Sequence, residues 1–458
     1  MTQPGRTDPW PTRGASQPPL TPSAGPPLLG GEPEPTRPAV AAGTSRPGRT
    51  AAVVAAAVAL VVVAIAAVVV VVRSGDGAEQ GEATAPTATT TPPTYAELTP
   101  ASLGDTLERL SRFVEGERTL EFRNPVTVEI VDPEELQARN AARLAPLADA
   151  VGIMSRQLAA LGLTTPDTDL LAGMSALANQ QPAYYDPATG TLSVAAGPLD
   201  PALERTLVHE LTVALDDQWF DLTRPGFVPF ADDPAFGRSA AVEGNATRVD
   251  QAWVESLDDA TRREVYRIDA GRSASGSSDA IPWVLSELAR SARIDGVALM
   301  DTALNIGGEQ AVDDLLTTPP TTSSEVLWPE RWVAQPEVAV VEVPPTDAAT
   351  DVVFATGSLG EVSLRLGLWE AVGGAEAAGA ARGWRGDRLV AWRNAEGNDC
   401  VRVDVATSSV EARDRLMAAM ERWAEVLPDA AAEPIELDSV RFTSCTTPTD
   451  AAGVESPL

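Results

Sequence analysis

From Leu98 onward, apolar positions recur at intervals that assign most of the chain to helices and short strands. Thr99-Pro100 supplies a capping Thr and Pro at the first helical position, and Leu103, Leu107, Leu110 and Phe113 follow at helical spacing, which predicts three or four turns. Leu120 to Val131 alternates and is β-branched, the pattern of a strand. Asp132-Pro133 then opens a long Ala/Leu/Arg helix toward Leu161, and a second helix covers Asp167 to Asn179. Two alternating arms around Asp186-Pro187-Ala188-Thr189-Gly190, running from Ala183 to Val194, predict a β-hairpin.

The hairpin leads into the most informative stretch. From about Asp200 to Trp219 a capping Asp precedes Pro201, and a core stripe runs through Leu203, Leu207, Leu211 and Ala214 or Leu215. Ala235 to Leu257 predicts another helix, and Ile281 to Leu316 two more around Gly307-Gly308. Asp258 to Ser278 is polar and ends in Gly and Ser, so it reads as a long exposed loop at the edge of a cleft.

Beyond Glu337 the pattern changes. Strands are expected over Val338 to Val343, Asp351 to Ala355, Asp387 to Arg393, Cys400 to Ala406 and Val440 to Cys445. Helical stretches fall between them, over Gly360 to Ala381 and Val410 to Leu427. The fold class is α+β: a mainly helical lobe with a β-hairpin over 98–336, then a smaller α+β lobe over 337–445 and a disordered tail over 446–458.

The N-terminal quarter follows other rules. Residues 1–50 are rich in Pro, Gly, Ser and Thr, with too little apolar surface to fold. Ala51 to Val72 is an unbroken apolar run, about 33 Å of helix, which matches a bilayer core and predicts one transmembrane helix. A cleaved signal peptide fits poorly, because the run exceeds a normal h-region and the segment before it is too long. Arg37, Arg46 and Arg49 precede the span and only Arg73 follows it, so the tail is expected in the cytoplasm and the globular part outside the cell membrane. Residues 73–97 make a flexible stalk.

Charge narrows the partners. With 34 bases against 65 acids the net charge is -31, and like charge repels phosphate, so nucleic acid is not an expected partner. All the bases are Arg, a mark of genome composition without chemical meaning. No Gly-rich loop carries the Lys that a nucleotide-phosphate site requires, and a Ser triad would have to use the one His in the chain.

That His is His209, followed by Glu210. A zinc metallopeptidase helix turns two His, four residues apart, toward one ion and holds a Glu between them as general base. Here position 213 is Val. Asp216 is no substitute, because seven residues of helix place it about 10 Å along the axis from His209. Taken alone, His209 is equally readable as a half-buried His bonded to a carboxylate such as Glu243.

Three blocks together change that reading. They are His209-Glu210-Leu211-Thr212 with Ala214-Leu215 and Asp217-Gln218, then Glu243-Gly244-Asn245-Ala246, then Pro319-Pro320 through Trp328-Pro329. With Gly383-Trp384-Arg385-Gly386-Asp387-Arg388, they resemble successive blocks of a membrane-anchored family similar to gluzincin-type zinc metallopeptidases, over roughly residues 98–445. The resemblance implies that His209 matches the first zinc ligand, Glu210 the base and Glu243 the third ligand. The chain departs from the family pattern at Val213, the second ligand position, at Trp219 for a nearby His, and at Trp328 for the His before Pro329.

All three departures remove a His. A catalytic zinc takes three protein ligands and a water, so a retired metal site is expected, with no cofactor and a non-catalytic role in binding a peptide or an envelope protein. The alternative is a residual zinc-dependent peptidase using His209, Glu210 and Glu243. The only two cysteines close two predicted strands on the side assigned to an oxidising compartment, and a Cys400 to Cys445 disulfide is expected.

Overall fold

The first helix, α1 (Pro100–Arg118), starts where the sequence places it. Thr99 and Ser102 form a reciprocal capping box, with the Ser102 amide 3.1 Å from the Thr99 hydroxyl. In the computed structural model the described residues are 94–223, 232–275 and 280–447. The expected tail over 1–50, the apolar run 51–72 and nearly all of the stalk and of the C-terminal tail lie outside them. Among the described residues no helix is long and apolar enough to cross a membrane.

After α1 the chain forms β1 (Thr127–Val131), α2 (Pro133–Leu144), α3 (Ala148–Ala160) and α4 (Leu170–Ala178). The hairpin β2 (Ala183–Asp186) and β3 (Thr191–Ala195) follows as expected. β3 is the middle strand of a small mixed sheet: it runs parallel to β1, pairing Thr127 with Thr191, and antiparallel to β2, pairing Tyr185 with Leu192.

Two readings over this region are corrected. Only Thr127–Val131 of the expected strand 120–131 is extended in a sheet. The amides before it find side chains instead: Phe122 donates to Glu115 Oε1 at 2.9 Å, and Arg123 and Asn124 donate to Gln218 Oε1. The long helix toward Leu161 is broken by a 3₁₀ turn at Ala145–Leu147, since Pro146 offers no N–H and its ring crowds the preceding turn.

Helices α5 (Pro201–Phe220), α6 (Asp233–Ser256), α7 (Asp259–Ser275), α8 (Trp283–Gly307) and α9 (Glu309–Thr317) make the helical body, and α8 ends at the expected Gly307-Gly308 break. The expected loop over Asp258 to Ser278 is corrected to a helix as far as Ser275. Asp258 Oδ1 accepts from the Ala260 and Thr261 amides as a cap, while Val265 is fully buried and Ile268 packs beside it. Arg118, wholly buried at the end of α1, ties three elements together by pairing with Asp216, Glu309 and Asp313.

Short helices α10 (Ser323–Leu327) and α11 (Pro329–Ala334) lead to a five-stranded antiparallel sheet in the order β4-β5-β6-β8-β7, made of β4 (Val352–Gly357), β5 (Trp384–Arg393), β6 (Asp399–Thr407), β7 (Ala430–Glu436) and β8 (Ser439–Cys445). Helices α12 (Gly360–Val372), α13 (Gly374–Ala381) and α14 (Val410–Glu425) complete it, so the fold is α+β with two sheets. Cys400 and Cys445 are directly paired in register and form the expected disulfide, 2.06 Å between sulfurs.

Val338 to Val343 is not the strand its alternation suggests. It runs irregularly, with the Ala339 amide on the Arg385 carbonyl and Val340 90% exposed. β7 was not foreseen, for Ala430-Ala431-Ala432-Glu433-Pro434 carries little β signal; its edge position tolerates the proline. One apolar cluster lies under α1, α5 and the small sheet, and a larger one runs from α3, α4 and α8 through α12 and α14 to β8. Each fully buried Leu contributes about 1.5–3 kcal/mol to these cores.

Candidate functional site

Helix α5 positions the site because its cap and stripe fix its rotation. Asp200 accepts from the Leu203 amide at 2.7 Å, Pro201 opens the first turn, and Leu203, Leu207, Leu211, Ala214 and Leu215 are buried in the core beneath α1. His209 and Glu210 therefore face the neighbouring helix α6 and strand β2, both almost fully enclosed.

His209 is held from both sides. Its Nδ1 lies 3.1 Å from Asp250 Oδ2 and its Nε2 lies 3.6 Å from Glu243 Oε2. The same Glu243 oxygen accepts from Arg293 Nε at 3.0 Å. On the other flank, Arg205 donates from Nε to Asp250 Oδ1 at 2.8 Å and from Nη1 to Asp269 Oδ2 at 3.0 Å, and Arg272 reaches Asp200 at 3.0 Å. Cation and anion alternate along Arg293, Glu243, His209, Asp250, Arg205 and Asp269. Four helices contribute, α5, α6, α7 and α8.

The approach of α6 and α8 depends on two glycines. A Cβ on Gly244 would stand 2.4 Å from the Gly296 carbonyl carbon, and one on Gly296 would stand 2.4 Å from the Ala240 carbonyl oxygen. Glu243 precedes Gly244 and Arg293 lies one turn before Gly296, so the bare backbone crossing is what brings carboxylate and guanidinium together.

These contacts set the protonation states. Burial alone would push the His209 imidazolium down, but hydrogen bonds to Asp250 and Glu243 outweigh it and raise its pKa to about 10. Glu243 shows the reciprocal effect: burial opposes its charge, yet Arg293 and His209 hold its pKa well below the usual carboxylate range. Glu210 is different. Burial dominates and raises it to about 7, against the lowering by His209 and by the Tyr185 amide, which donates to Glu210 Oε2 at 2.8 Å.

His209 and Glu243, which the resemblance would match to zinc ligands, are thus brought together, and Glu210, next to His209 in sequence, also lines the cavity. Val213 points its isopropyl group at the apolar cluster under α1. Among the described residues no group of three His, Cys, Asp or Glu is disposed to hold a metal. The donor set does not fit a catalytic zinc: an aliphatic group stands at the second ligand position, and the Glu243 oxygen nearest His209 already accepts from a guanidinium. Asp216 is withdrawn into the Arg118 network, where Asn245 Nδ2 donates to it at 2.6 Å. Trp219 donates to the Glu121 carbonyl at 3.0 Å, and Trp328 donates to Glu361 Oε1 at 2.6 Å, so both indoles are tied to neighbouring elements by hydrogen bonds.

His209, Glu210, Asp250 and Arg293 line a cavity of about 680 Å³ together with Gln137, Gln180 and Gln181. Sequence reasoning missed Asp250, Arg205, Asp269 and Arg293. The first two carried a signal: Asp250 lies two helical turns from Glu243, and Arg205 one turn before His209. Arg293 carried none. No known family, no curated protein and no solved structure matches this chain.

Proposed function

We propose that the chain is a membrane-anchored, extracytoplasmic binding protein whose metallopeptidase-like cleft has lost its metal and its chemistry. The apolar run 51–72 is the anchor, and the arginines before it keep the tail in the cytoplasm. The cleft offers its walls to a peptide or an envelope protein.

One observation carries the reading. Glu243 Oε2 is shared by His209 and by the Arg293 guanidinium, so an internal cation neutralises the carboxylate that a metal would need. A divalent ion entering there would have to displace Arg293, meet only two protein donors, and leave water for an apolar neighbour in Val213.

The test is elemental analysis of the full-length protein purified without chelator, joined to a peptide-library cleavage assay with and without chelator. Zinc well below one per chain and no chelator-sensitive cleavage are the expected results. Stoichiometric zinc, with cleavage abolished by Glu210→Gln, would instead establish the residual peptidase that uses His209, Glu210 and Glu243.

A further inference from the structure

The cavity wall carries one guanidinium whose outer end is unclaimed. Arg293 gives Nε to Glu243, and among the described residues its two terminal nitrogens have no hydrogen-bond partner. The side chain is 42% exposed and lines the cavity, so those N–H groups open onto the cleft. Glu243 fixes the plane of the fork from behind. A planar pair of donors, already oriented, is the geometry that receives a carboxylate through two parallel bonds.

Around it the surroundings match. Arg205 lines the same cavity with Nε and Nη1 bound to Asp250 and Asp269, which leaves its Nη2 without a partner among the described residues. The nearby acids are therefore turned to acceptor duty within the wall. In the same cavity lining Gln137, Gln180 and Gln181 make no side-chain hydrogen bonds to the described residues, and their amides offer both donors and acceptors to a polar ligand. A dianionic phosphate suits this wall less, because Asp250, Asp269 and Glu243 already stand on it.

We propose that the cleft holds its ligand by a carboxylate, with Arg293 as the anchoring residue. This rests on the binding reading of the cleft given above. Because Arg293 is already pinned by Glu243, little side-chain freedom is lost when the ligand arrives. The carboxylate is that of a peptide C-terminus or of a sugar acid, which share the recognised group.

The experiment is isothermal titration of the full-length protein in detergent with N-acetyl-trialanine, its C-terminal amide, glucuronate and inorganic phosphate. A carboxylate ligand is expected to bind at least about tenfold more tightly than the amide, the loss that removal of a charged hydrogen-bonding group brings. Arg293→Gln should abolish that preference, and Arg293→Lys should keep only part of it, since an ammonium has no fork. Binding by the peptide acid assigns the source to a chain terminus, and binding by glucuronate to a sugar acid; either upholds the anchor. Equal affinity for acid and amide, tighter binding of phosphate, or an unchanged preference in Arg293→Gln would overturn it. Should Arg293→Gln fail to fold by circular dichroism, Arg293→Lys decides: a reduced preference for the acid upholds the anchor, and a preference equal to that of the native protein overturns it. Zinc content measured on the same samples judges the metal-free reading separately, and the Arg293→Gln comparison tells the anchor from a bound ion, which would keep the preference.

Discussion

At Glu210 two influences compete over one proton. Burial drives the carboxyl up to about 7, while His209 and the Tyr185 amide favour the anion. A carboxyl raised in the folded state binds more protons than the unfolded chain between its ordinary 4.5 and 7, so this group lowers stability as pH rises through that window. Glu210→Gln should therefore match the native protein near pH 4 and exceed it near pH 8, by on the order of 1–3 kcal/mol, in denaturant titrations at the two pH values. An equal difference at both would mean that burial is not the cause. His209 acts in a higher window. Its folded pKa of about 10 lies above the ordinary 6.5, so its contribution is complete below 6.5 and is lost as pH climbs through 10. His209→Gln should flatten the decline of melting temperature between pH 7 and 10.

Among the elements, the α6–α8 crossing is the one on which the site depends. Gly296→Ala forces a methyl against the Ala240 carbonyl, and overpacking of this kind costs about 1–3 kcal/mol by urea denaturation. Gly104→Ala is the control: nothing lies within 4 Å of a Cβ there, so in the second turn of α1 it should be neutral or stabilising by up to about 1 kcal/mol. If the two substitutions behave alike, the crossing is looser than described. The same contrast explains what was legible. Helices α1 and α5 could be read because their caps and apolar stripes are local, written within a few residues of Thr99 and Asp200. Helix α7 was lost because its buried side is narrow, little more than Val265 and Ile268 in a charged sequence. His209, Glu210 and Glu243 were singled out through motif blocks, whereas Arg293 joins them only through a glycine crossing that no spacing announces. Val338 to Val343 misled for the opposite reason: its alternation is strand-like, but it meets β5 through the Ala339 amide on the Arg385 carbonyl, beyond the Leu389–Arg393 stretch that β4 pairs, and forms no ladder.

For the molecule as a whole, the disulfide and the proposed anchor give the remaining tests. Cys400 and Cys445 are 45 residues apart, and closing a loop of that size contributes roughly 3 to 4 kcal/mol in the chain-entropy account. Reduction under native conditions should lower the denaturation midpoint by the corresponding amount, and an unchanged midpoint would place the stability of β6 and β8 in their packing alone. In fractionated cells the full-length chain is expected in the membrane and resistant to alkaline carbonate, while a chain lacking 51–72 should be released. Recovery of both in the soluble fraction would remove the anchor.

The solitary imidazole has a practical consequence. Since the chain holds a single His, clamped between Asp250 and Glu243 at the cavity wall, its ring nitrogens and carbon-bound protons give one isolated set of magnetic resonance signals that needs no assignment. Ring ¹⁵N shifts will report the tautomer and the charge directly, and any molecule that settles in the cleft will announce itself on that one spin system.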